Sequence, residues 1–214
     1  SCDAHVSLLK SLRVMGLPDE ALHRLPVDDA GRLRPEDLEV ALHQLDRDGR
    51  SCVAVVATAG TTVRGAVDPL RTLASICRRQ NVWLHVDGAI GGVFALAEPL
   101  TDLVDGIGLA DSITLNPQKL LGITKASSLL LLRDGSRLGS TFSTGLPYME
   151  EPAGNHHGGE AGLQGTRPAE ILKLWLGLRQ LGETGIETVL ASSLERCRHL
   201  RGALDANRWL LHPG

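Results

Sequence analysis

Hydrophobic residues recur along the chain in two patterns, short continuous runs and longer stretches with helical spacing. The short runs predict buried strands at residues 52–58, 82–86, 113–115 and 127–132. The helical spacing predicts helices at residues 4–16, 35–45, 68–79, 169–181 and 186–205. Because strands alternate with helices, we expect an α/β fold with a mostly parallel sheet flanked by helices.

The two ends of the chain suggest that more protein lies beyond them. The chain opens on Ser1, and residues 209–214 resemble the entry to a further strand. We therefore expect a fragment, in which residues 1–185 form a large domain that lacks its N-terminal part. Residues 186–214 would form a helix that leads into a mostly missing C-terminal small domain.

Composition and charge exclude several classes of function. Hydrophobic residues make up 43% of the 214 residues, which is typical of a folded globular chain. The formal net charge is −3, with acidic and basic residues interspersed, so we expect no nucleic-acid partner and no anionic-membrane partner. No apolar run approaches the roughly 20 residues that a membrane span requires.

The four cysteines have no metal-binding spacing. Cys2, Cys52, Cys77 and Cys197 are scattered, and no CxxC pair occurs. We expect reduced, mostly buried thiols in a cytoplasmic protein, and no metal site.

Candidate chemistry gathers where the predicted strands end. Functional side chains of parallel sheets collect at the carboxyl ends of the strands. Asp87 follows one strand, and Asn116 and Lys119 follow the next. A lysine that is partly desolvated in a tight turn would be a usable amine nucleophile, and its natural partner is an aldehyde such as pyridoxal phosphate.

Each of these residues also has an ordinary structural interpretation. Asp87 could cap the turn after its strand, and His5 could be a histidine at a helix start. Thr61 and Thr62 could satisfy backbone groups of a turn. The order of threonine turn, strand aspartate and strand lysine favours a shared function over these separate roles.

Several motifs, in order and with compatible spacing, carry a family resemblance. They are Ala4-His5-Val6-Ser7, Thr58-Ala-Gly-Thr-Thr-Val63, Trp83-Leu-His-Val-Asp-Gly-Ala89, Ala110-Asp-Ser112 and Asn116-Pro-Gln-Lys119. The chain resembles the group II pyridoxal-phosphate-dependent amino-acid decarboxylases, which include glutamate, aromatic-amino-acid and diaminobutyrate decarboxylases. The resemblance implies the aspartate-aminotransferase fold (fold type I) and a homodimer with active sites at the subunit interface.

The resemblance also implies a role for each matching residue. Lys119 would form the aldimine with pyridoxal 5'-phosphate, and Asp87 would pair with the pyridine nitrogen. His5 would stack on the ring, and Ala89 would pack on the other face of the ring. Thr62 would contact the phenolic oxygen, and Asn116 would bind the phosphate.

The chain departs from the family pattern at the proton donor. Family members usually carry a tyrosine on a mobile loop after the lysine, whereas the only tyrosine here, Tyr148, lies near the start of that loop. The corresponding tip holds His156 and His157. We hypothesise that one of them, His157 in particular, protonates Cα of the substrate, although a solvent-facing histidine pair is an alternative.

The predicted activity is decarboxylation of an L-amino acid to its amine and CO₂. Alternatives are another pyridoxal-phosphate-dependent lyase, an aldehyde synthase, an aminotransferase-like enzyme or a non-catalytic homologue. The sequence does not rank aromatic against acidic amino acids as substrates.

Overall fold

A computed structural model describes residues 1–125, 128–146 and 158–206. Its four strands form one sheet in the order β1-β2-β3-β4. They are β1 (Ala54–Thr58), β2 (Trp83–Gly88), β3 (Ser112–Leu115) and β4 (Leu129–Leu132). β1, β2 and β3 are parallel, and β4 pairs with β3 in the antiparallel sense. The predicted mostly parallel sheet is therefore confirmed.

The described residues also form six α-helices. They are α1 (Ser7–Val14), α2 (Pro35–Arg47), α3 (Leu70–Arg79), α4 (Pro117–Leu120), α5 (Ser136–Phe142) and α6 (Ile171–Ala206). The start of α2 follows from its sequence, since Pro35 occupies the first turn, where no amide donor is needed, and Glu36 and Asp37 oppose the positive end of the helix dipole. Of the described helices, none is both long and apolar enough to cross a membrane.

β2 separates polar from apolar side chains between its two faces. Leu84, Val86 and Gly88 are buried, whereas Trp83, His85 and Asp87 are half-buried on the opposite face. Because successive side chains of a strand point to opposite faces, one face of β2 belongs to the core and the other carries polar chemistry.

Two apolar clusters form the core. The first joins the buried face of the sheet to α2 and α3, and Leu73, Leu84 and Val86 lie at its centre. The second holds α6 against the segment after β2, through residues such as Val93 and Leu190. The site end of the sheet is therefore supported by packing on two sides.

The loops that follow β1 and β2 touch backbone to backbone. The amide of Gly91 donates to the carbonyl of Ala59 at 2.9 Å. A Cβ atom at Gly91 would lie 2.7 Å from that carbonyl oxygen, so a larger residue does not fit without movement. Gly60 turns the first loop with φ of +89°, a conformation that favours glycine. The two glycines thus fix the spacing between the loops.

The structure corrects several details of the sequence-based prediction. Asp87 lies inside β2 rather than after it, since the strand continues to Gly88. α5 was not predicted. The two expected C-terminal helices are both present and meet at a kink at Gly182, whose φ and ψ are 59° and −179°. The break itself was expected, but a loop over residues 182–185 was not found.

The cysteines were also expected to be mostly buried, which is wrong. Cys2 and Cys197 are exposed, Cys52 is half-buried and Cys77 is buried, and all four are free. Burial raises the pKa of the Cys77 thiol to about 11.

Candidate active site

A cavity of about 420 Å³ opens at the carboxyl ends of β1, β2 and β3. Six residues singled out in the sequence line it together: His5, Thr62, Asp87, Ala89, Asn116 and Lys119. They come from four separate segments of the chain. A larger cavity of about 490 Å³, lined by residues such as Val82 and Arg133, contains none of them and borders the amino end of β2.

Asp87 presents a carboxylate to the cavity from the polar face of β2. Its Oδ1 accepts a hydrogen bond from the backbone amide of Ala89 at 3.1 Å. Among the described residues, no other donor contacts this carboxylate, so Oδ2 is open to a donor in the cavity. A half-buried carboxylate with one open oxygen suits a protonated ring nitrogen.

Lys119 lies in the short helix α4 and is exposed, rather than partly desolvated in a tight turn as the sequence predicted. Pro117 is buried at the first turn of this helix and places Lys119 on the cavity wall. Because the ammonium is exposed, any desolvation of this lysine must come from what binds in the cavity.

Asn116 is oriented by a neighbouring serine. The hydroxyl of Ser128 donates to Oδ1 of Asn116 at 2.8 Å. Within the described part of the chain, nothing accepts from the amide nitrogen of Asn116. Both of its N–H bonds are therefore available to an anionic group in the cavity.

His5 stands at the start of α1 and is exposed on the cavity wall. The backbone amide of Ser7 donates to Nδ1 of His5 at 3.3 Å, and the Ser7 hydroxyl lies 2.8 Å from the same nitrogen. Since a backbone amide can only donate, Nδ1 acts as an acceptor and the ring proton sits on Nε2. The local helix start therefore holds the imidazole in one orientation.

The threonines of the first loop have different roles. The Thr61 side chain is buried and accepts a hydrogen bond from the amide of Ala66 at 3.1 Å, which is the turn role considered in the sequence. Thr62 is exposed on the cavity wall. Thr58, at the end of β1, also lines the cavity, and its buried hydroxyl has no hydrogen-bond partner.

Sequence reasoning missed His85 and Thr114, which line the same cavity. Burial lowers the pKa of the His85 imidazole below its ordinary value of 6.5, and the Asp87 carboxylate opposes this to a smaller extent. Strand periodicity could have identified both residues. His85 lies two positions before Asp87 on the same face, and Thr114 pairs with Asp87 in the register of β2 and β3.

The predicted proton donor cannot be placed in this site. His156 and His157, together with Tyr148, lie outside the described residues. Within the described residues, no group of three or more His, Cys, Asp or Glu side chains could hold a metal ion.

The chain belongs to the pyridoxal-dependent decarboxylase family, whose conserved-domain model matches residues 1–208. This assignment agrees with the lysine, aspartate and histidine that the structure brings to one cavity. It also confirms the family resemblance and the fold type I architecture inferred from the motifs.

Two relatives that the chain matches in sequence are named as decarboxylases. The chain is 36% identical over 205 residues to cysteine sulfinic acid decarboxylase of Homo sapiens, a match that covers 94% of this chain and 42% of that protein. It is 32% identical to acidic amino acid decarboxylase GADL1 of Xenopus tropicalis, over 92% of this chain and 40% of that protein.

The fold also matches that of a solved structure. The crystal structure of mouse CSAD matches with a TM-score of 0.89 and 34% identity, over 95% of this chain and 43% of that chain. The chain thus spans about two fifths of the length of these relatives.

Proposed function

We propose that the chain is the cofactor-binding core of a pyridoxal-phosphate-dependent decarboxylase that converts an L-amino acid to its amine and CO₂. The observation that supports this most directly is the shared cavity of Lys119 and Asp87. An amine and a carboxylate on one cavity wall are the two groups that this cofactor requires of a protein.

The residues present fit this cofactor. Oδ2 of Asp87 is open toward the cavity, as are both N–H bonds of Asn116. The Thr58 hydroxyl is buried at the cavity without a partner. Buried polar groups are normally hydrogen-bonded, so an unpaired one indicates a ligand that supplies the missing partner.

Six residues would hold the cofactor, each at a different part of the molecule. Lys119 would bond to the aldehyde carbon through Nζ, and Asn116 would donate to the phosphate. Asp87 would hold a proton on the ring nitrogen. His5 and Ala89 would cover the two faces of the ring, and Thr62 would contact the phenolic oxygen.

When bound, pyridoxal phosphate supplies an electron-poor ring that accepts the electron pair left on Cα as CO₂ departs. The carboxylate of Asp87 keeps this ring cationic by retaining the proton on the ring nitrogen. Fixed protein groups determine which bond to Cα breaks, because they orient the substrate relative to the ring plane. The proton that then reaches Cα would come from His157, as the sequence predicted.

We propose an amino acid with an acidic side chain as the substrate. The relatives matched at 36% and 32% identity are named for cysteine sulfinic acid and for acidic amino acids. Both names describe side chains that carry a negative charge near neutral pH. This proposal ranks the acidic class above the aromatic class that the sequence left open.

We also propose that the protein is cytoplasmic and works as a homodimer with active sites at the interface, as the family resemblance implies. Residues 1–185 would belong to the large domain, and residues 186–214 would lead into a small domain. The break at Gly182 lies close to the proposed boundary.

Spectroscopy of the purified protein with added pyridoxal phosphate tests the cofactor assignment. A visible absorbance band that borohydride fixes to the protein is expected, and Lys119→Ala should abolish it. Lys173→Ala is the control, because this lysine forms an exposed ion pair with Glu170 in α6, away from the cavity. A band that survives Lys119→Ala refutes the assigned lysine.

Product analysis tests the reaction. Incubation with cysteine sulfinate, glutamate and aromatic amino acids is expected to release CO₂ and an amine from an acidic substrate. Release of ammonia and an aldehyde would indicate an aldehyde synthase. A protein that binds the cofactor but turns over no amino acid would be a non-catalytic homologue.

A further inference from the structure

A chain of hydrogen bonds crosses the polar face of the sheet toward the cavity. The indole Nε1 of Trp83 donates to Oγ of Ser112 at 2.8 Å. The same oxygen lies 2.8 Å from Nδ1 of His85. On the other side of the imidazole, Nε2 of His85 lies 3.2 Å from Oγ1 of Thr114. Four side chains from β2 and β3 are thus linked in sequence.

The direction of this chain follows from the chemistry of its first member. An indole N–H can only donate, so the Ser112 oxygen is an acceptor for Trp83. Ser112 is only 6% exposed, and of the described residues only His85 offers its hydroxyl hydrogen an acceptor. Since buried hydroxyls are normally satisfied, Ser112 donates to Nδ1 of His85.

The tautomer of His85 is fixed as a result. With Nδ1 accepting, a neutral imidazole carries its proton on Nε2, which donates to Thr114. Burial favours this neutral form, because it lowers the pKa of His85. Each hydrogen bond in the chain therefore points from Trp83 toward the cavity.

The last donor in the chain is the Thr114 hydroxyl. Its oxygen accepts from His85, and among the described residues its hydrogen has no other partner. Thr114 is paired with Asp87 in the register of β2 and β3, so the two side chains are neighbours on one face of the sheet. Both line the cavity. The two side chains are not hydrogen-bonded to each other, so the Thr114 hydroxyl hydrogen and Oδ2 of Asp87 both lack a partner among the described residues.

The geometry points to His85 and Thr114 as positioning residues, which hold the Thr114 hydroxyl as a hydrogen-bond donor on the cavity wall beside Asp87, so that it binds the Asp87 carboxylate once the cofactor engages that carboxylate. This inference rests on the proposed function. A hydrogen bond from a fixed hydroxyl orients a carboxylate. The arrangement thus supports Asp87 from behind while it holds the ring nitrogen.

Nitrogen NMR of histidine-labelled protein without cofactor tests the chain by itself. His85 is assigned by comparison with His85→Gln, and its neutral Nε2–H form is expected at pH 7. Ser112→Ala removes the donor to Nδ1 and is expected to give a mixture of tautomers. A cationic imidazole, or the Nδ1–H form, in the unmodified protein would overturn the inference.

Kinetics of the cofactor-loaded protein test the effect on Asp87. Thr114→Val keeps the shape but removes the hydroxyl, and we expect kcat to fall about tenfold, as for loss of a hydrogen bond to a charged group. Thr114→Ser restores the hydroxyl and should restore kcat.

The other titratable side chains that line this cavity are His5, His85 and Lys119. A merely structural role for Thr114 would leave Thr114→Ser as impaired as Thr114→Val, which would overturn the inference. Absence of cofactor binding to the unmodified protein would refute the proposed function instead. The NMR spectrum would then still decide the hydrogen-bond chain.

Discussion

Asp68 and Thr58 are joined by two hydrogen bonds in opposite directions. The amide of Thr58 donates to Oδ2 of Asp68 at 2.7 Å, and the amide of Asp68 donates to the carbonyl of Thr58 at 2.9 Å. Oδ1 of Asp68 also accepts from the amide of Leu33 at 2.7 Å. One buried carboxylate thus ties the cavity end of β1 to the segment before α2.

Replacing Asp68 with Asn should destabilise the protein by about 1–3 kcal/mol, because the amide nitrogen of Asn cannot accept one of these two backbone hydrogen bonds. The carboxylate is only 2% exposed, so water cannot restore the lost bond. Chemical unfolding monitored by circular dichroism measures the change in free energy of unfolding.

Asp134→Asn is the matched control for Asp68→Asn. Asp134 also accepts a hydrogen bond from a backbone amide, that of Ser136 at 3.1 Å, but it is exposed. We expect a change within about 0.5 kcal/mol. Equal losses in the two variants would contradict the importance given to the buried carboxylate.

Gly91→Ala should also destabilise the protein, by about 1–3 kcal/mol, because the new methyl group would press on the carbonyl of Ala59. It should weaken cofactor binding too, since the loops that it separates carry cavity residues. Gly108→Ala is the control, because a Cβ at Gly108 meets no atom within 4 Å. Unchanged stability of Gly91→Ala would show that the loops move apart without cost.

Cysteine alkylation should separate the four thiols by exposure. Cys2 and Cys197 are exposed and should react with iodoacetamide at pH 8 in the native protein. Cys77 is 1% exposed and its pKa is raised to about 11, so it should react only after unfolding. Peptide mass spectrometry measures this order. Early modification of Cys77 would indicate that the packing of α3 opens readily.

Stability should fall as the pH drops below about 6.5, in part because of His85. Its pKa is lowered in the folded state from an ordinary value of 6.5, so the unfolded chain binds more protons in this range. The contribution is present above pH 6.5 and is lost as the pH falls through the lowered pKa. His85→Gln should remove this part of the pH dependence, measured as the difference between the two unfolding curves from pH 8 to pH 5. Parallel curves would contradict it.

The sequence predicted the sheet and the principal site residues for separate physical reasons. β1 is a mostly apolar run, whereas β2 alternates buried and half-buried side chains, and periodicity detects both patterns directly. Lys119 and Asp87 were expected to share a cavity because residues at strand ends converge in a parallel sheet, and they do share one. Local patterns and one topological rule were therefore sufficient to predict these features.

Other features depend on contacts that no local pattern encodes. The exposure of Lys119 depends on how α4 packs, and the burial of the cysteines depends on which faces the helices cover. The kink at Gly182 follows from the local glycine signal, whereas the return to helix directly after it does not. Strand periodicity places His85 on the polar face of β2, but its hydrogen-bond partners in β3 lie 27 and 29 residues further along the chain.

The alternation of side chains in β2 has a consequence for how this enzyme family could diversify. Leu84 and Val86 are part of the core, whereas His85 and Asp87, which alternate with them, line the cavity. Substitutions at the two sets of positions should therefore affect different properties, folding at one set and the cavity at the other. A lineage could therefore acquire a new reaction along this strand while its architecture stays unchanged.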